Sequence, residues 1–274
     1  YSSRNVYSLD VGQTSWTKFG GSLTFTAPNG DSVNALPMIV AMSPTNVNVA
    51  YLAGGSDGGV PSVFKTADGG QSWSPVLLTR NNENVATGWA GIGGTRSWRY
   101  GETAMGFTVS PTDPQRVLIT DLGFAHQSTD GGATWQSLNV APSDRNAPGT
   151  SINSTNSTHS SGLDNTSTWG LAWTDPRHII GAYTDIRGAI SSDAGQSWSL
   201  GYSGHDLNSM YRAVAAPNGI AYAATSSVHD LYETTYLRDS RIDQGTGRVL
   251  FSSDHGTTWQ TLHATATDVA NTAC

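Results

Sequence analysis

The chain has 274 residues, enough to bury the core of one large all-β domain. Charged residues make up only 13%, with 14 basic and 21 acidic side chains, and the formal net charge is -7. Nucleic-acid backbones are bound by clustered lysine and arginine, and no such cluster occurs, so this balance argues against a nucleic-acid partner. No run of 18 apolar residues occurs either, so the sequence predicts no membrane span.

An eight-residue motif recurs along the chain and organises it. Its four complete copies are Thr66–Trp73, Ser128–Trp135, Ser191–Trp198 and Ser252–Trp259. Their aspartates stand 62, 63 and 61 residues apart, and a degenerate copy, Ser8–Trp16, precedes them. In each copy the aspartate can accept hydrogen bonds from turn amides, and the glycine permits a positive φ. The motif therefore predicts a hairpin turn, with the tryptophan at the start of the next strand.

The motif has the form S/T-x-D-x-G-x-x-W, the Asp-box (BNR repeat). The chain thus resembles the Asp-box β-propellers: sialidases, sortilin-type receptors and the xyloglucanases of glycoside hydrolase family 74. The resemblance implies an all-β fold, a β-propeller of four-stranded antiparallel blades with the boxes on the turns between strands c and d.

Taken in chain order, the period divides residues 1–274 into blades of one propeller domain. A partial blade and connection cover 1–33, full blades with their following loops cover 34–100, 101–167, 168–208 and 209–264, and a next element starts at 265–274. The predicted strands a to d of the full blades are Pro37–Met42, Val49–Gly54, Ser62–Thr66 and Ser72–Leu78; Ala104–Val109, Arg116–Thr120, Phe124–Ser128 and Thr134–Val140; Trp169–Trp173, His178–Tyr183, Ala189–Ser192 and Ser197–Tyr202; Tyr211–Ala215, Ile220–Thr225, Val249–Ser252 and Thr258–His263.

About four and a half blades are fewer than most closed propellers need. We therefore expect the chain to be part of a larger ring. Its remaining blades would join non-covalently or through Cys274, the only cysteine. A compact five-bladed ring, closed by residues 5–19 joining 264–274, is the alternative.

Strand order also predicts which loops carry function. The turns between strands a and b and between c and d share one face, so the box aspartates are expected to be structural. The loops between b and c and between d and a share the opposite face, where propellers usually bind ligands. Loops at that second face supply the candidate site residues.

Two of these loops carry the predicted catalytic residues. The spans Thr120–Trp135 and Thr184–Trp198 look most like the family 74 xyloglucanases, which carry a catalytic aspartate in a T-D-x-G-type loop. Asp121 and Asp185 match that position. Neither keeps the double glycine, because Leu-Gly-Phe follows Asp121 and Ile-Arg-Gly follows Asp185. The sialidase arginine triad and its F/Y-R-I-P motif are absent.

The other candidates are expected to bind substrate, because aromatic faces suit sugar rings and charged groups suit their hydroxyls. They are Asp57, Trp89, Trp98, Arg99, Tyr100, His205, Asp206, Tyr211, Arg212, His229, Tyr232 and Tyr236. His126 and His178, within predicted strands, are expected to be packing residues. The sequence contains no motif typical of a metal site, a phosphate-binding loop or a nucleophile elbow, so no cofactor or metal is expected.

These features predict a secreted, carbohydrate-active propeller that binds an oligosaccharide or polysaccharide. A glycoside hydrolase acting on a plant-type or similar polysaccharide with two carboxylates is the first interpretation. A polysaccharide lyase using histidine, tyrosine and arginine on a uronate polymer is the second, and a non-catalytic glycan- or protein-binding propeller is the third. Sequons at Asn153, Asn156 and Asn165 predict a glycoprotein, which favours the secretory route.

Overall fold

The computed structural model describes residues 5–19, 23–26, 32–91, 94–163, 166–228 and 245–265. Their strands are β1 Tyr7–Ser8, β2 Thr17–Lys18, β3 Thr24–Thr26, β4 Ser32–Met42, β5 Ala50–Ser56, β6 Ser62–Thr66, β7 Ser74–Pro75, β8 Val85–Ala86, β9 Gly106–Val109, β10 Val117–Thr120, β11 Ala125–Ser128, β12 Trp135–Ser137, β13 Thr168–Trp173, β14 Ile179–Tyr183, β15 Gly188–Ser191, β16 Ser209–Ala215, β17 Ala221–Ser226, β18 Gly247–Ser252 and β19 Gln260–Thr265. The helical segments within these ranges are two short 3-10 turns, Arg80–Asn82 and Pro142–Asp144. None is long or apolar enough to cross a membrane.

The chain forms two compact units. Unit 1 contains residues 1–152 and 161–165, and unit 2 contains residues 153–160 and 166–274. In unit 1, β4 to β7 form one antiparallel blade and β9 to β12 form a second. In unit 2, β13 to β15 form a third and β16 to β19 a fourth. The fold is therefore all-β and built from propeller blades, as predicted.

Two blades gain strands that the sequence pattern did not predict. β3 pairs with the first part of β4, and β8 pairs in parallel with the outer strand β12, placing Val85 opposite Trp135. The Asn84 side chain anchors β8, because its Nδ2 donates to the carbonyls of Val76 (2.8 Å) and Gly132 (3.1 Å). A strand of two residues has no recognisable hydrophobic period, so such an addition cannot be read from the sequence.

The third blade has three strands instead of the predicted four. The prediction of strand d at Ser197–Tyr202 was wrong: Ser199 makes an isolated bridge with Ile190, and the two residues exchange hydrogen bonds of 2.9 and 2.8 Å. The backbone amide and carbonyl of Trp198 do not bond to β15. They exchange two 2.9 Å hydrogen bonds with the backbone of Thr158. A long-range partner in the preceding loop thus takes the hydrogen bonds of this segment.

The boxes of the first, second and fourth blades form the turns between strands c and d, as predicted, the third box follows strand c, and all four use the same hydrogen bonds. Ser191 Oγ donates to Asp193 Oδ1 (2.8 Å) and accepts from the amide of Gly195 (2.9 Å). The amide and hydroxyl of Ser197 both donate to the Asp193 carboxylate, at 2.9 and 2.6 Å. Gly195 adopts a φ of 89°. The same network occurs in Thr66–Ser72, Ser128–Thr134 and Ser252–Thr258.

The box tryptophans pack to different extents. Trp135 and Trp259 are buried, whereas Trp73 and Trp198 are half-buried. Trp135 is fully enclosed, and its Nε1 donates to the carbonyl of Val76 at 2.7 Å. Gly132 of the same box lies against Val76, where a Cβ would come within 2.7 Å of the valine side chain. The second box therefore closes tightly on the blade before it.

The box hydrogen bonds should make stability sensitive to acid. The hydroxyl and amide of Ser197 lower the pKa of Asp193 to about 2, against about 3.9 in an unfolded chain. The stabilisation is present above about pH 4 and is lost as the pH falls towards 2. Because Asp193 is close to solvent, screening limits this stabilisation to at most about 1 kcal/mol.

Urea unfolding of the parent and of Asp193→Asn between pH 2 and 5 measures this effect. We expect the parent to lose stability more steeply than the variant as the pH falls. Ser197→Ala, which removes the donating hydroxyl, should give an intermediate slope. Three parallel profiles would contradict a stabilising role for this carboxylate.

Candidate functional site

The loops at the end of the second blade opposite its box bring an aspartate and four aromatic rings together. We call this group the Asp121 cluster: Asp121, Trp89, Trp98, Tyr100 and Phe124. The Trp89 ring lies 5.6 Å from that of Trp98 and 5.1 Å from that of Phe124, and the Tyr100 ring meets Phe124 edge-on at 4.7 Å. Asp121 follows β10 and Phe124 precedes β11, while the other three come from the loop between β8 and β9. The cluster lies within unit 1.

Asp121 is a buried carboxyl with two unequal oxygens. Oδ1 accepts hydrogen bonds from the amides of Gly123 (2.9 Å) and Phe124 (2.7 Å), both in its own loop. Oδ2 is buried and makes no hydrogen bond with any residue that the structure describes. Burial raises the pKa of Asp121 to about 6, against the lowering effect of hydrogen bonds from Gly123, Phe124 and Gly101. Asp121 therefore caps its turn and also holds a proton more tightly than an ordinary aspartate.

Behind the cluster lies a buried histidine whose surroundings the sequence did not reveal. His126 is 1% exposed and packs between Tyr100 and Phe124, with centroid distances of 5.1 and 6.0 Å. Burial lowers its pKa to about 4. The Tyr100 hydroxyl donates to Asn82 Oδ1 at 2.8 Å, and burial raises the pKa of Tyr100. His126 is thus a neutral packing residue, as predicted, and it adds to the apolar environment of the cluster.

The predicted residues around the cluster differ in accessibility. Trp89 and Tyr100 are buried, Trp98 is half-buried, and Arg99 and Asp57 are exposed. Arg99 Nη1 donates to the carbonyl of Gly58 at 2.9 Å. Both Asp57 oxygens accept from Asn34, one from its amide (2.8 Å) and one from its side chain (2.7 Å). Trp98, Arg99 and Asp57 are therefore the predicted side chains of unit 1 that a ligand can reach directly.

Asp185 lies in unit 2, in the loop between β14 and β15. It is exposed, and its Oδ1 accepts a hydrogen bond from Asn208 Nδ2 at 3.2 Å. Asp185 and Arg187 adopt φ angles of 61° and 69°, a conformation that is uncommon for residues other than glycine. The loop thus holds this carboxylate in solvent in a constrained backbone. Asp121 and Asp185 occupy equivalent loops of their blades but different environments.

The remaining predicted residues of unit 2 are mostly engaged within it. His205 is buried, and burial together with the charge of Arg187 lowers its pKa to about 4. Tyr211 is also buried, and its hydroxyl donates to the carbonyl of Val228 at 2.5 Å. Asp206 is exposed and forms an ion pair with Arg248, and Arg212 is exposed. His229, Tyr232 and Tyr236 lie outside the described residues.

One group of described side chains has the spacing of metal ligands, and it lies at the box end of unit 2. Its members are Asp175, His178 and His255. His178 lies just before β14, where its Nδ1 is 2.8 Å from an oxygen of Asp175, so it does not pack inside a strand as predicted. The sequence separates His178 from His255 by a whole blade, which is why no ligand motif could be recognised.

Comparisons with known proteins give low similarity. No known protein family matches the chain, and no curated protein matches it. Among solved structures, the family 74 xyloglucanase of Xanthomonas campestris is 12% identical, with a TM-score of 0.35, and the match covers 90% of this chain and 43% of the enzyme. An ancestral family 74 enzyme is 14% identical, with a TM-score of 0.29, and the match covers 90% of this chain and 27% of the enzyme. YCF48 bound to a D1 peptide is 13% identical, with a TM-score of 0.25, and the match covers 86% of this chain and 55% of YCF48.

The chain thus spans less than half the length of the two family 74 enzymes. The similar structures include enzymes and a peptide-bound protein, and at these values they assign neither an activity nor a substrate to this chain. The assignment of an all-β fold is based on the strand pairings within this chain.

The buried Asp121 carboxyl should give stability a pH dependence opposite to that of the boxes. Its pKa of about 6 in the folded chain exceeds the value of about 3.9 expected after unfolding. The folded state is therefore favoured below pH 4 and loses stability as the pH rises through 6. A pKa difference of about two units between the folded and unfolded states corresponds to a change of about 3 kcal/mol in the free energy of unfolding.

Asp121→Asn cannot ionise, so its free energy of unfolding minus that of the parent should rise by about 2–3 kcal/mol between pH 4 and 7. Denaturant unfolding across this range measures the difference. A difference that stays constant with pH would show that Asp121 titrates normally.

Proposed function

We propose that this chain belongs to a secreted, carbohydrate-active protein, a glycoside hydrolase in which Asp121 is the general acid. The observation that carries the proposal is the Asp121 carboxyl itself, which is buried and fixed through Oδ1 by loop amides, while its Oδ2 makes no hydrogen bond with any described residue. A glycosidase needs a carboxyl that stays protonated near its working pH, and burial is the usual means of arranging this.

The fixed oxygen and the free oxygen would have different roles. The amides of Gly123 and Phe124 hold Oδ1 and set the orientation of the group. Oδ2 is the atom that can carry the proton and deliver it to a glycosidic oxygen. With a pKa of about 6, a substantial fraction of the group is protonated in mildly acidic solution, and the carboxylate left after transfer is basic enough to take the proton back.

Because Oδ2 is buried, a sugar reaches it only if part of the surrounding chain moves. Gly101 lies against the carboxylate, because a Cβ at this position would stand 2.8 Å from Asp121 Oδ1 and 2.5 Å from the amide of Leu122. Trp98 belongs to the same segment as Gly101 and is half-buried, with Arg96 5.5 Å from its ring centroid. The proposal therefore includes displacement of the segment 98–102 when substrate binds. The second carboxylate of the predicted pair, Asp185, stays a prediction.

A non-catalytic binding propeller is the second candidate, and a specific observation favours it. The amides of Gly123 and Phe124, which hold Oδ1, belong to the loop of Asp121 itself, as in a turn cap, and Trp89 and Tyr100 are buried. In that reading the cluster holds the loops in place, and ligands contact only exposed groups such as Arg99 and Asp57. A lyase is less well supported, since the Tyr211 hydroxyl is bonded to a carbonyl and buried.

The extracellular location is part of the proposal. Asn153 and Asn156, in two of the three sequons, are exposed, so a glycan can be attached to either without disturbing a core. Expression in a eukaryotic host followed by enzymatic deglycosylation would test it. A mass decrease on deglycosylation is expected, and an unchanged mass would remove this support.

The activity class is tested by incubating the protein with xyloglucan and with mixed-linkage β-glucan. The experiment is done with this chain alone and with any longer chain to which it belongs. A hydrolase releases new reducing ends without the ultraviolet absorbance of an unsaturated uronate. A lyase gives that absorbance on a uronate polymer. Saturable binding of oligosaccharide without turnover would favour the non-catalytic candidate and contradict the proposed one.

A further inference from the structure

Three side chains of unit 2 with metal-ligating atoms converge at the box end of the third and fourth blades. Asp175 and His178 lie in the turn between β13 and β14, and His255 lies in the box turn between β18 and β19. An Asp175 Oδ2 atom stands 2.8 Å from His178 Nδ1 and 3.7 Å from His255 Nδ1. Ligand atoms of all three lie within 4.8 Å of one another. Each side chain is about one-third exposed, so solvent and ions reach the group.

The carboxylate is oriented towards the two histidines. Asp175 Oδ1 accepts hydrogen bonds from the amides of Arg177 (2.7 Å) and His178 (2.8 Å), which fix one oxygen to the turn. Oδ2 is left to face both imidazoles. His255 Nδ1 is also 2.9 Å from Thr174 Oγ1, a group that can steady the ring from the side. One ligand oxygen is thus held in place before any ion binds.

His255 is unusual among the four boxes, because the turn itself does not need a histidine there. The same position carries Gly69, Gly131 and Ala194 in the other three boxes. The backbone at His255 has a φ of 60°, close to the 73° and 72° of the two glycines. Such an angle costs a non-glycine residue energy. Ala194 adopts nearly the same angle, 62°, and what distinguishes His255 is that its side chain contacts the turn of the neighbouring blade.

The corresponding turn of the first blade lacks the three ligating side chains. There, Pro44 stands at the position of Asp175 and Val49 at that of His178, since the amides of Ser43 and Thr174 donate equivalent turn hydrogen bonds to the carbonyls of Val49 and His178. Gly131 occupies the box position that faces this blade. None of these three offers a metal ligand, so the blade contact can form without one. The three ligating side chains in unit 2 are an addition to the repeat.

We propose that Asp175, His178 and His255 bind one divalent transition-metal ion, with Zn²⁺ the best match. Imidazole nitrogen and carboxylate oxygen together form a typical zinc ligand set, and sites with three protein ligands keep a fourth position for water. Tetrahedral bonds of about 2.0–2.1 Å place ligand atoms about 3.4 Å apart. The separations of 2.8 and 3.7 Å bracket that distance.

Binding requires one adjustment of side chains. The two imidazole rings are stacked, with centroids 4.0 Å apart and planes 11° from parallel, so their lone pairs do not meet at one point. The proposal therefore requires one ring to rotate about χ2, and both rings are partly exposed. The ion would also take the place of the proton shared between Asp175 and His178. It would then join the turn of one blade to the box of the next.

Zinc binding by the chain without a polyhistidine tag, measured by competition with a chromophoric zinc indicator, tests the proposal. We expect one Zn²⁺ per chain and a loss of affinity of about 10-fold or more in His255→Gly, by analogy with the loss on disturbing metal-site residues. This variant keeps the fold, because glycine is the residue at Gly69 and Gly131. His178→Gln is a second variant that leaves the box intact.

His263→Gln is the matched control, since this histidine is exposed on β19 of the same unit. It should bind Zn²⁺ like the parent. Zn²⁺, but not Mg²⁺, should raise the melting temperature of the parent and of this control and leave His255→Gly unchanged. The proposal is overturned if the parent binds no Zn²⁺, if His255→Gly and His178→Gln bind as the parent does, or if the control loses as much affinity as they do.

Discussion

Replacing Trp135 with alanine is expected to lower the free energy of unfolding by about 3–5 kcal/mol, the usual cost of emptying a large aromatic site in a core. Trp135 is completely buried at the start of β12. Its Nε1 donates to the carbonyl of Val76, and its amide donates to the carbonyl of Asn84. The substitution removes the ring and leaves a cavity, while the Val76 carbonyl loses one of its two donors and keeps the hydrogen bond from Asn84.

Chemical denaturation of the parent and variant measures this loss, and the chain supplies two controls. Trp73→Ala removes the equivalent residue of the first box, which is half-buried, and should cost less. Trp16→Ala removes a ring that is 66% exposed and should change stability by about 0.5 kcal/mol or less. Equal midpoints for Trp135→Ala and the parent would show that this tryptophan is not a core residue.

Asp121→Asn is expected to lower turnover of a β-glucan or xyloglucan by roughly 100-fold or more, if the protein is a hydrolase. Asparagine is nearly isosteric, so Oδ1 can still accept from Gly123 and Phe124, but the side chain has no acidic proton to transfer. The expected loss is therefore in kcat, with little change in substrate binding. Asp185→Asn should have a similar effect if this second carboxylate takes part.

Asp113→Asn is the matched control, because Asp113 belongs to unit 1 but lies in the turn between β9 and β10, at the box end of the same blade. It should leave turnover unchanged. Full activity in both Asp121→Asn and Asp185→Asn would contradict the catalytic assignment while leaving the fold intact. Asp57 and Asp206 would then be the next described carboxylates to replace.

The fold could be predicted in some detail because its determinants are local. Each box carries its own hydrogen-bonding groups within eight residues, so four copies at a constant period identify the turns and, between them, the strands. Pairings that are not part of the repeated motif were not predicted. The parallel pairing of β8 with β12 and the bond between Trp198 and Thr158 depend on residues brought from distant loops.

The site was less predictable, because burial is not a property of a residue type. Trp89, Tyr100, His205 and Tyr211 were expected to face a sugar, yet all four are buried. In loops, aromatic and charged residues have the same sequence signature whether they pack under the loop or point into solvent. Asp121 was chosen from its loop position, whereas its raised pKa comes from burial in the folded chain, which the loop position does not reveal.

Titrating the Asp121 carboxyl directly, by NMR of the side-chain carbon with Asp121→Asn to assign the signal, tests the proposed acid most directly. We predict a midpoint of about 6 in the folded protein and a further change in that midpoint when a xyloglucan oligosaccharide is added. A midpoint at or below about 4, the value of an ordinary aspartate, that does not change with oligosaccharide would contradict the proposal that this carboxyl is the acid of a sugar-cleaving site.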